Sequence, residues 1–375
     1  ICLTGLDALH QVRLVEREGG QVRIPHELIR HTVDQDLSDS RRAWLHERVA
    51  HHLLRTSQRP PVKELTIHFD QAGVAAEALR YGTEAATLAE SAGAIPEALR
   101  FLRLARKHAE DPEVATDLVW RMGHLNYLRR NLEEAAPLLE VASQRLRRHN
   151  RMSKALEAEL ERIDSLAHTD LLPFRECLEE LERVKAEART AAEWDVFTKA
   201  LDIEARHLDH QGDIEGVRRV LREAESVKDL GEPSARCRAR ATLAFQLFFG
   251  DPLRALQSVR SAVEIAEDHQ MADLLLLSLN RLIVILVQQG LLDTREGKNA
   301  CARGQALAQK TGDIMLRFNV HENVAVWHLD KGEFDRAGLL FEGAGAVLRN
   351  TGAKTLMINL LYNLGELSLW THQHE

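Results

Sequence analysis

The chain has 375 residues, 45% hydrophobic but only 5% aromatic, and it lacks the valine and isoleucine runs that parallel strands need. Its wealth of Ala, Leu, Glu and Arg makes an all-α fold the expectation. A formal charge of −8 with pI near 6.2 argues against direct nucleic-acid contact, because a nucleic-acid reader carries a basic field or stripe.

Apolar residues from Leu6 to Leu14 fall at helical spacing. Leu14 to Glu18 and Gln21 to Ile24 then alternate around Gly19-Gly20, which signals a two-residue β-hairpin. A helix followed by a short hairpin is the back half of a winged helix. Pro25 admits a helix from His26 to about Leu37, and Ser38-Asp39-Ser40 can cap the next, Arg41 to Arg55, with a stripe of Trp44, Leu45, Val49, Leu53 and Leu54. Pro60-Pro61 ends that region, dividing residues 1–59 from 60–375. Beyond it, helices are expected at 62–72, 74–92, 95–108, 113–129, 132–148, 153–168, 173–190, 194–211, 214–228, 234–249, 252–269, 271–289, 293–311, 314–331, 334–350 and 354–371. Gly93, Asp111-Pro112, Gly231, Gly250-Asp251-Pro252, Gly312-Asp313 and Gly352 mark the joints.

These helices repeat. Taking turn residues as markers gives Gly212, Gly250, Gly290 and Gly332 at intervals of 38, 40 and 42, with Arg130 lying 82, or two units, earlier. Twelve residues after each marker stands Ala142, Ala224, Ala262, Ala302 or Ala344. Five after it stands Ala135, Val217, Ala255 or Ala337, with Arg295 the exception. Small residues there let helices approach, while Leu139, Leu221, Val259 and Phe341 fill the space between them. Such units stack into a solenoid of about seven or eight hairpins. Leu364-Gly365 repeats Met122-Gly123 and opens a further unit, and the chain begins as if mid-helix, so a longer natural protein is expected, with association through unfinished ends.

Met122-Gly123 followed by Asn131-Leu132-Glu133-Glu134-Ala135 resembles the tetratricopeptide repeat, in units longer than the usual 34 residues and similar to those of the maltose-regulon activator type. The stretch Gly20 to Arg30, Leu37-Ser38 and Arg41 to His46 resembles the winged-helix end of the large ATP-binding LuxR-like regulators, members of the STAND class of signal-transduction ATPases. That resemblance implies an ATPase module upstream that binds ATP or ADP, and a right-handed superhelix of tetratricopeptide-like hairpins as a sensor arm. It also implies a helix-turn-helix downstream. ATPase-linked cyclases and kinases carry a similar cassette, so an interaction scaffold with no small ligand is the alternative. Pro25-His26-Glu27-Leu28 aligns with the Met-His-Asp-Leu motif of that class. His26 is therefore either a nucleotide-sensing residue or a helix-capping histidine.

A phosphate-binding loop GxxxxGK[ST] is absent, and no catalytic constellation stands out, so enzyme activity is not expected of this segment. The four cysteines are scattered, pointing to free thiols in the cytoplasm. Met271 to Val287, the longest apolar run, is interrupted by Asp273, Ser278, Asn280 and Arg281, so no membrane span is expected. His46, His51, His52 and His68 lie near one another without an acidic or cysteine partner, so no metal site is expected either. First helices of the hairpins are expected to line an inner groove. Trp120, His124, Tyr127, Lys199 and Phe248 belong to that wall, as do Asn319, Asn359 and Trp370. The groove residues proper are Arg206, Arg240, Asn280, Arg281, Asn323, Trp327, Tyr362 and Asn363. Aromatic faces mixed with amide and guanidinium donors suit a small-molecule or protein effector bearing carbonyl or carboxylate groups. The same positions can instead serve as solvated faces and inter-repeat packing.

Overall fold

The structure is a computed structural model describing residues 2–18, 21–169, 171–247, 250–349, 351 and 353–374. Gly19, Gly20, Phe248, Asn350 and Gly352 lie outside these, as does the side chain of Arg30. Nineteen helices and one strand pair are present among the described residues. In order they are α1 (Cys2–Gln11), β1 (Glu16–Glu18), β2 (Gln21–Arg23), α2 (Glu27–Asp36), α3 (Asp39–Thr56), α4 (Val62–Ala72), α5 (Ala75–Ser91), α6 (Ile95–Lys107), α7 (Pro112–Leu128), α8 (Leu132–Arg148), α9 (Met152–His168) and α10 (Phe174–Thr190). Then follow α11 (Trp194–His210), α12 (Ile214–Val227), α13 (Pro233–Leu247), α14 (Pro252–Asp268), α15 (Ala272–Gln288), α16 (Arg295–Ala308), α17 (Ile314–Asp330), α18 (Phe334–Leu348) and α19 (Lys354–His374). No helix is long and apolar enough to cross a membrane among the described residues.

Two compact units result, Ile1–Thr87 with Arg100–Ala109, and Leu88–Leu99 with Glu110–Glu375. In the first, β1 and β2 pair antiparallel with Glu16 opposite Arg23, whose guanidinium reaches the Glu16 carboxylate at 3.2 Å. Leu65 and Phe69 of α4 are buried with Ala50 of α3, Ala78 and Tyr81, and Leu53 and Leu54 pack against them. Packing therefore carries across Pro60-Pro61, so the expected division after residue 59 is a joint in the chain rather than the edge of a unit.

The second unit is built on one kind of turn. Arg130, Gly212, Gly290 and Gly332 all have left-handed φ, between 57° and 74°. At Gly212 the amide donates to the Asp209 carbonyl at 2.9 Å and the next amide reaches back to Leu208 at 3.0 Å. This closes off the last carbonyls of the helix. The joints at Asn150, Ala192 and Gln270 repeat the pattern with non-glycine residues. New helices start where an aspartate accepts free amides: Asp111 from Glu113, Asp213 from Gly216, Asp251 from Arg254 and Asp313 from Leu316.

Within each hairpin the helices approach at small residues. A Cβ at Gly123 of α7 would lie 2.9 Å from Cγ of Leu139 on α8. Ala142, Ala224, Ala262 and Ala344 are fully buried, but Ala302 is exposed. After Gly290, α16 starts five residues on rather than two, and the small-residue positions move by two, so Gly297 and Gly304 occupy the places held elsewhere by Ala135 and Ala142 and that marker interval is 42. The Arg295 exception is thereby explained, and Gly304 faces Ile283 and Val320.

Helices α7, α9, α11, α13, α15, α17 and α19 pack along one another as an inner layer, the first six each flanked by its hairpin partner outside. The core is accordingly a string of local clusters shared by neighbours, as in other solenoids. The superhelix also meets itself. Gly93 approaches the Lys310 carbonyl, Ile95 packs on Gly312, and the Lys354 ammonium reaches Glu133 at 3.5 Å, so one turn takes 217 to 221 residues.

Candidate functional site

The inner layer carries a polar ladder. His124 of α7 bonds Glu161 of α9 at 2.9 Å, and Lys199 of α11 donates to the same carboxylate at 2.7 Å and to Glu157 at 3.0 Å. One turn along, Tyr127 donates its hydroxyl to Asp164 at 2.7 Å and His207 bonds the other oxygen at 3.0 Å. Arg130 and Arg206 stand 3.6 and 3.8 Å from Asp164. Farther along, Asp202 accepts from Thr242 at 3.0 Å and is paired with Arg281. Asn323 donates to Asn280 at 2.9 Å, and Asn363 donates to Glu322 at 2.9 Å. These partners stand roughly one repeat apart, 34 to 43 residues, except for Arg281 with Asp202.

Charge pairing sets the protonation of this ladder. Burial raises the pKa of Glu161, but His124 and Lys199 outweigh it and hold the carboxyl down at about 2. Asp202 is likewise buried yet held at about 2 by Arg281 and Arg206, and Asp164 lies well below the usual range beside Arg206 and His168. Glu322 has only the Asn363 amide, and burial lifts it to about 7.

Where the superhelix returns upon itself it encloses a cavity of about 580 Å3. Its walls are the last turns of α7, α9, α11 and α13, with Arg130, His168, Thr169, Arg206, His210 and Phe245, and the first turns of α8, α17 and α19. The latter supply Glu133, Met315, Asn319, Lys354, Leu356 and Asn359.

Of the eight groove residues read from sequence, only Arg206 lines this cavity. Asn280, Arg281, Asn323 and Asn363 do lie on the inner layer, but their side chains are engaged there, Asn280 accepting from Asn323 while Arg281 donates to Asp202 and Asn363 to Glu322. Arg240 instead clamps the end of α12, donating to the Lys228 carbonyl and to Asp229. Trp327 is half-buried against the α14–α16 core with the Lys331 ammonium 4.9 Å over its ring, and Tyr362 is 67% exposed. Of the wider wall, Asn319 and Asn359 reach the cavity, whereas His124 and Tyr127 join the ladder and Trp370 is exposed. His26 is exposed immediately before α2, whose first turn carries Glu27.

Two groups escape the sequence reading. His168, His210 and Lys354 enter the cavity because superhelical closure brings helix ends together. Asp164, His168 and His207 offer ligand atoms within 4.8 Å of one another, the one such group among the described residues. The spacing of Asp164 and His168 on one helix was a signal, but the guanidiniums of Arg130 and Arg206 occupy the place of a cation beside Asp164. His46 and His68 are in contact at 2.8 Å.

This architecture is a tetratricopeptide-like helical repeat superhelix. No protein-family model matches the chain, and no curated protein matches it. Among solved structures it is similar to a Rap protein complexed with competence and sporulation factor, with a TM-score of 0.54, 13% identity, and coverage of 92% of this chain and 90% of that one. It is also similar to NprR in complex with its cognate peptide NprX, at TM-score 0.50, 10% identity, and coverage of 99% and 97%. A STAND protein with a tetratricopeptide repeat sensor from Pyrococcus horikoshii aligns at TM-score 0.43 with 12% identity, over 97% of this chain and 57% of that one.

Proposed function

We propose that the chain is the effector-binding sensor arm of a bacterial STAND or LuxR-like transcription regulator, and that its effector, a short peptide or small molecule, enters the cavity where the superhelix closes. The observation that carries this reading is the cavity itself. At about 580 Å3 it lies within the usual range for ligand sites, and it combines apolar Phe245, Met315 and Leu356 with amide and guanidinium donors. Its walls come from both ends of one superhelical turn, so an occupant binds differently to a tight and a loose superhelix, as any ligand-driven switch requires. The similar Rap and NprR structures are complexes with a factor and a peptide. In the full-length protein, ATP or ADP and DNA are handled by other modules in the cytoplasm. This arm itself neither catalyses a reaction nor touches nucleic acid or membrane. Exposed His26 is available to a nucleotide phosphate there, and His26→Ala is expected to lower ADP retained through purification of the full-length protein; unchanged ADP removes that role.

Incubating the protein with a randomised hexapeptide pool and identifying retained peptides by mass spectrometry tests the main reading. Asn319→Trp, which fills the cavity, is expected to abolish retention, and equal retention by variant and parent places the site elsewhere. A second reading, an interaction scaffold, is favoured by the exposed Ile358, Leu361, Leu369 and Trp370 on α19. Under it the protein self-associates or captures a protein partner whether or not the cavity is filled.

A further inference from the structure

At one end of the cavity the lining residues Arg130 and Arg206 stand beside two carboxylates, Asp164 and Asp202, the second of them paired with Arg281. Both carboxylates are already engaged. Asp164 accepts from Tyr127 at 2.7 Å and bonds His207 at 3.0 Å, and Asp202 accepts from Thr242 at 3.0 Å and is clasped by Arg281. Arg130 and Arg206 stand 3.6 and 3.8 Å from Asp164, beyond hydrogen-bonding distance, and Arg206 is no closer than 3.6 Å to Asp202. The buried Nε–H of Arg206 meets no hydrogen-bond acceptor among the described residues. A buried donor with no acceptor is costly until an anion arrives.

We infer that this end of the cavity is a carboxylate subsite, in which Arg206, supported by Arg130 and by His210 at the rim, binds a carboxylate of the effector. The inference rests on the effector-binding reading above and narrows its ligand class. The planar guanidinium fork matches a carboxylate in two parallel hydrogen bonds. Beside the guanidiniums, Phe245, Met315 and Leu356 receive the apolar part of the same ligand. A peptide C-terminus and a small aryl carboxylic acid both have this chemistry.

The test offers immobilised protein two N-acetylated hexapeptide pools free of Asp and Glu, identical except that one ends in a carboxylate and the other in an amide. Phenylacetate is titrated separately. The carboxylate pool is expected to be retained at least tenfold over the amide pool, and Arg206→Gln, with its helix content checked by circular dichroism, is expected to abolish the preference. Phenylacetate bound by the parent and not by Arg206→Gln, with neither peptide pool retained, also supports the subsite and identifies the small acid as its source. Equal retention of the two pools overturns the carboxylate subsite while leaving the effector reading standing. Retention of neither pool and no binding of phenylacetate overturns both. The comparison on the parent needs no variant, so a folding defect in Arg206→Gln does not cloud it.

Discussion

Glu322 has an amide for a partner where Glu161, Asp164 and Asp202 have cations. Burial lifts its carboxyl to about 7, while Glu161 and Asp202, more deeply enclosed but paired with cations, are held at about 2. The two cases pull stability in opposite directions with pH. Folded Glu322 keeps a proton that the unfolded chain gives up near pH 4.5, so its ionisation lowers stability as pH rises from there through 7. Glu161 and Asp202 contribute stability present above their unfolded values and lost as pH falls towards 2. Glu322→Gln is therefore expected to be more stable than the parent above pH 7, by about 1–3 kcal/mol, and nearly equal to it below pH 4.5. Urea unfolding at both extremes checks this, and a variant no more stable at pH 8 removes Glu322 as the titrating group. At a joint between hairpins, exposed Ala192 sits at φ 57°. Ala192→Gly is expected to stabilise by about 1 kcal/mol in the same assay. Sequence spacing placed Asn280, Asn323 and Asn363 on the inner layer, but it could not tell an amide facing a ligand from one facing the next repeat. That depends on what stands 40 residues away, and only packing reveals it.

Each helical hairpin tolerates its neighbours through a few small residues, and glycines at corresponding positions have opposite consequences at the two ends of the array. Gly123 lies against Leu139, whereas a Cβ at Gly365 meets nothing within 4 Å. Alanine in place of a helical glycine gains about 1 kcal/mol of helix propensity, while overfilling a packed interface costs about 1–3 kcal/mol. Gly123→Ala is thus expected to destabilise by about 1 kcal/mol and Gly365→Ala to stabilise by up to the same amount. Thermal melts of the two variants decide it, and a stabilised Gly123→Ala contradicts the close approach. The helices themselves were legible because buried alanines and leucines recur at a fixed distance from left-handed turns. The frame failed only after Gly290, where a counted period hides a two-residue insertion and assigns to exposed Ala302 the place that Gly304 fills.

A solenoid held only by neighbouring contacts is free to open along its axis, so the long-range contacts that join one turn to the next govern the width of the cavity. Here they are few. The Lys354 to Glu133 pair is exposed on both sides and contributes roughly 0–1 kcal/mol. Gly93 against the Lys310 carbonyl and Gly312 against Ile95 are close because neither glycine carries a side chain. A Cβ at Gly312 would lie 2.6 Å from Cδ1 of Ile95, and a whole leucine there cannot be accommodated by turning that side chain aside. Gly312→Leu is therefore expected to part the turn without unfolding its helices. Helix content by circular dichroism should match the parent, the radius of gyration from solution scattering should increase, and retention of any cavity-bound peptide should fall at least tenfold. An unchanged radius of gyration together with unchanged retention would show that the Ile95 contact does not hold the turn closed, and the coupling between superhelical pitch and effector binding would have to lie in the polar ladder instead.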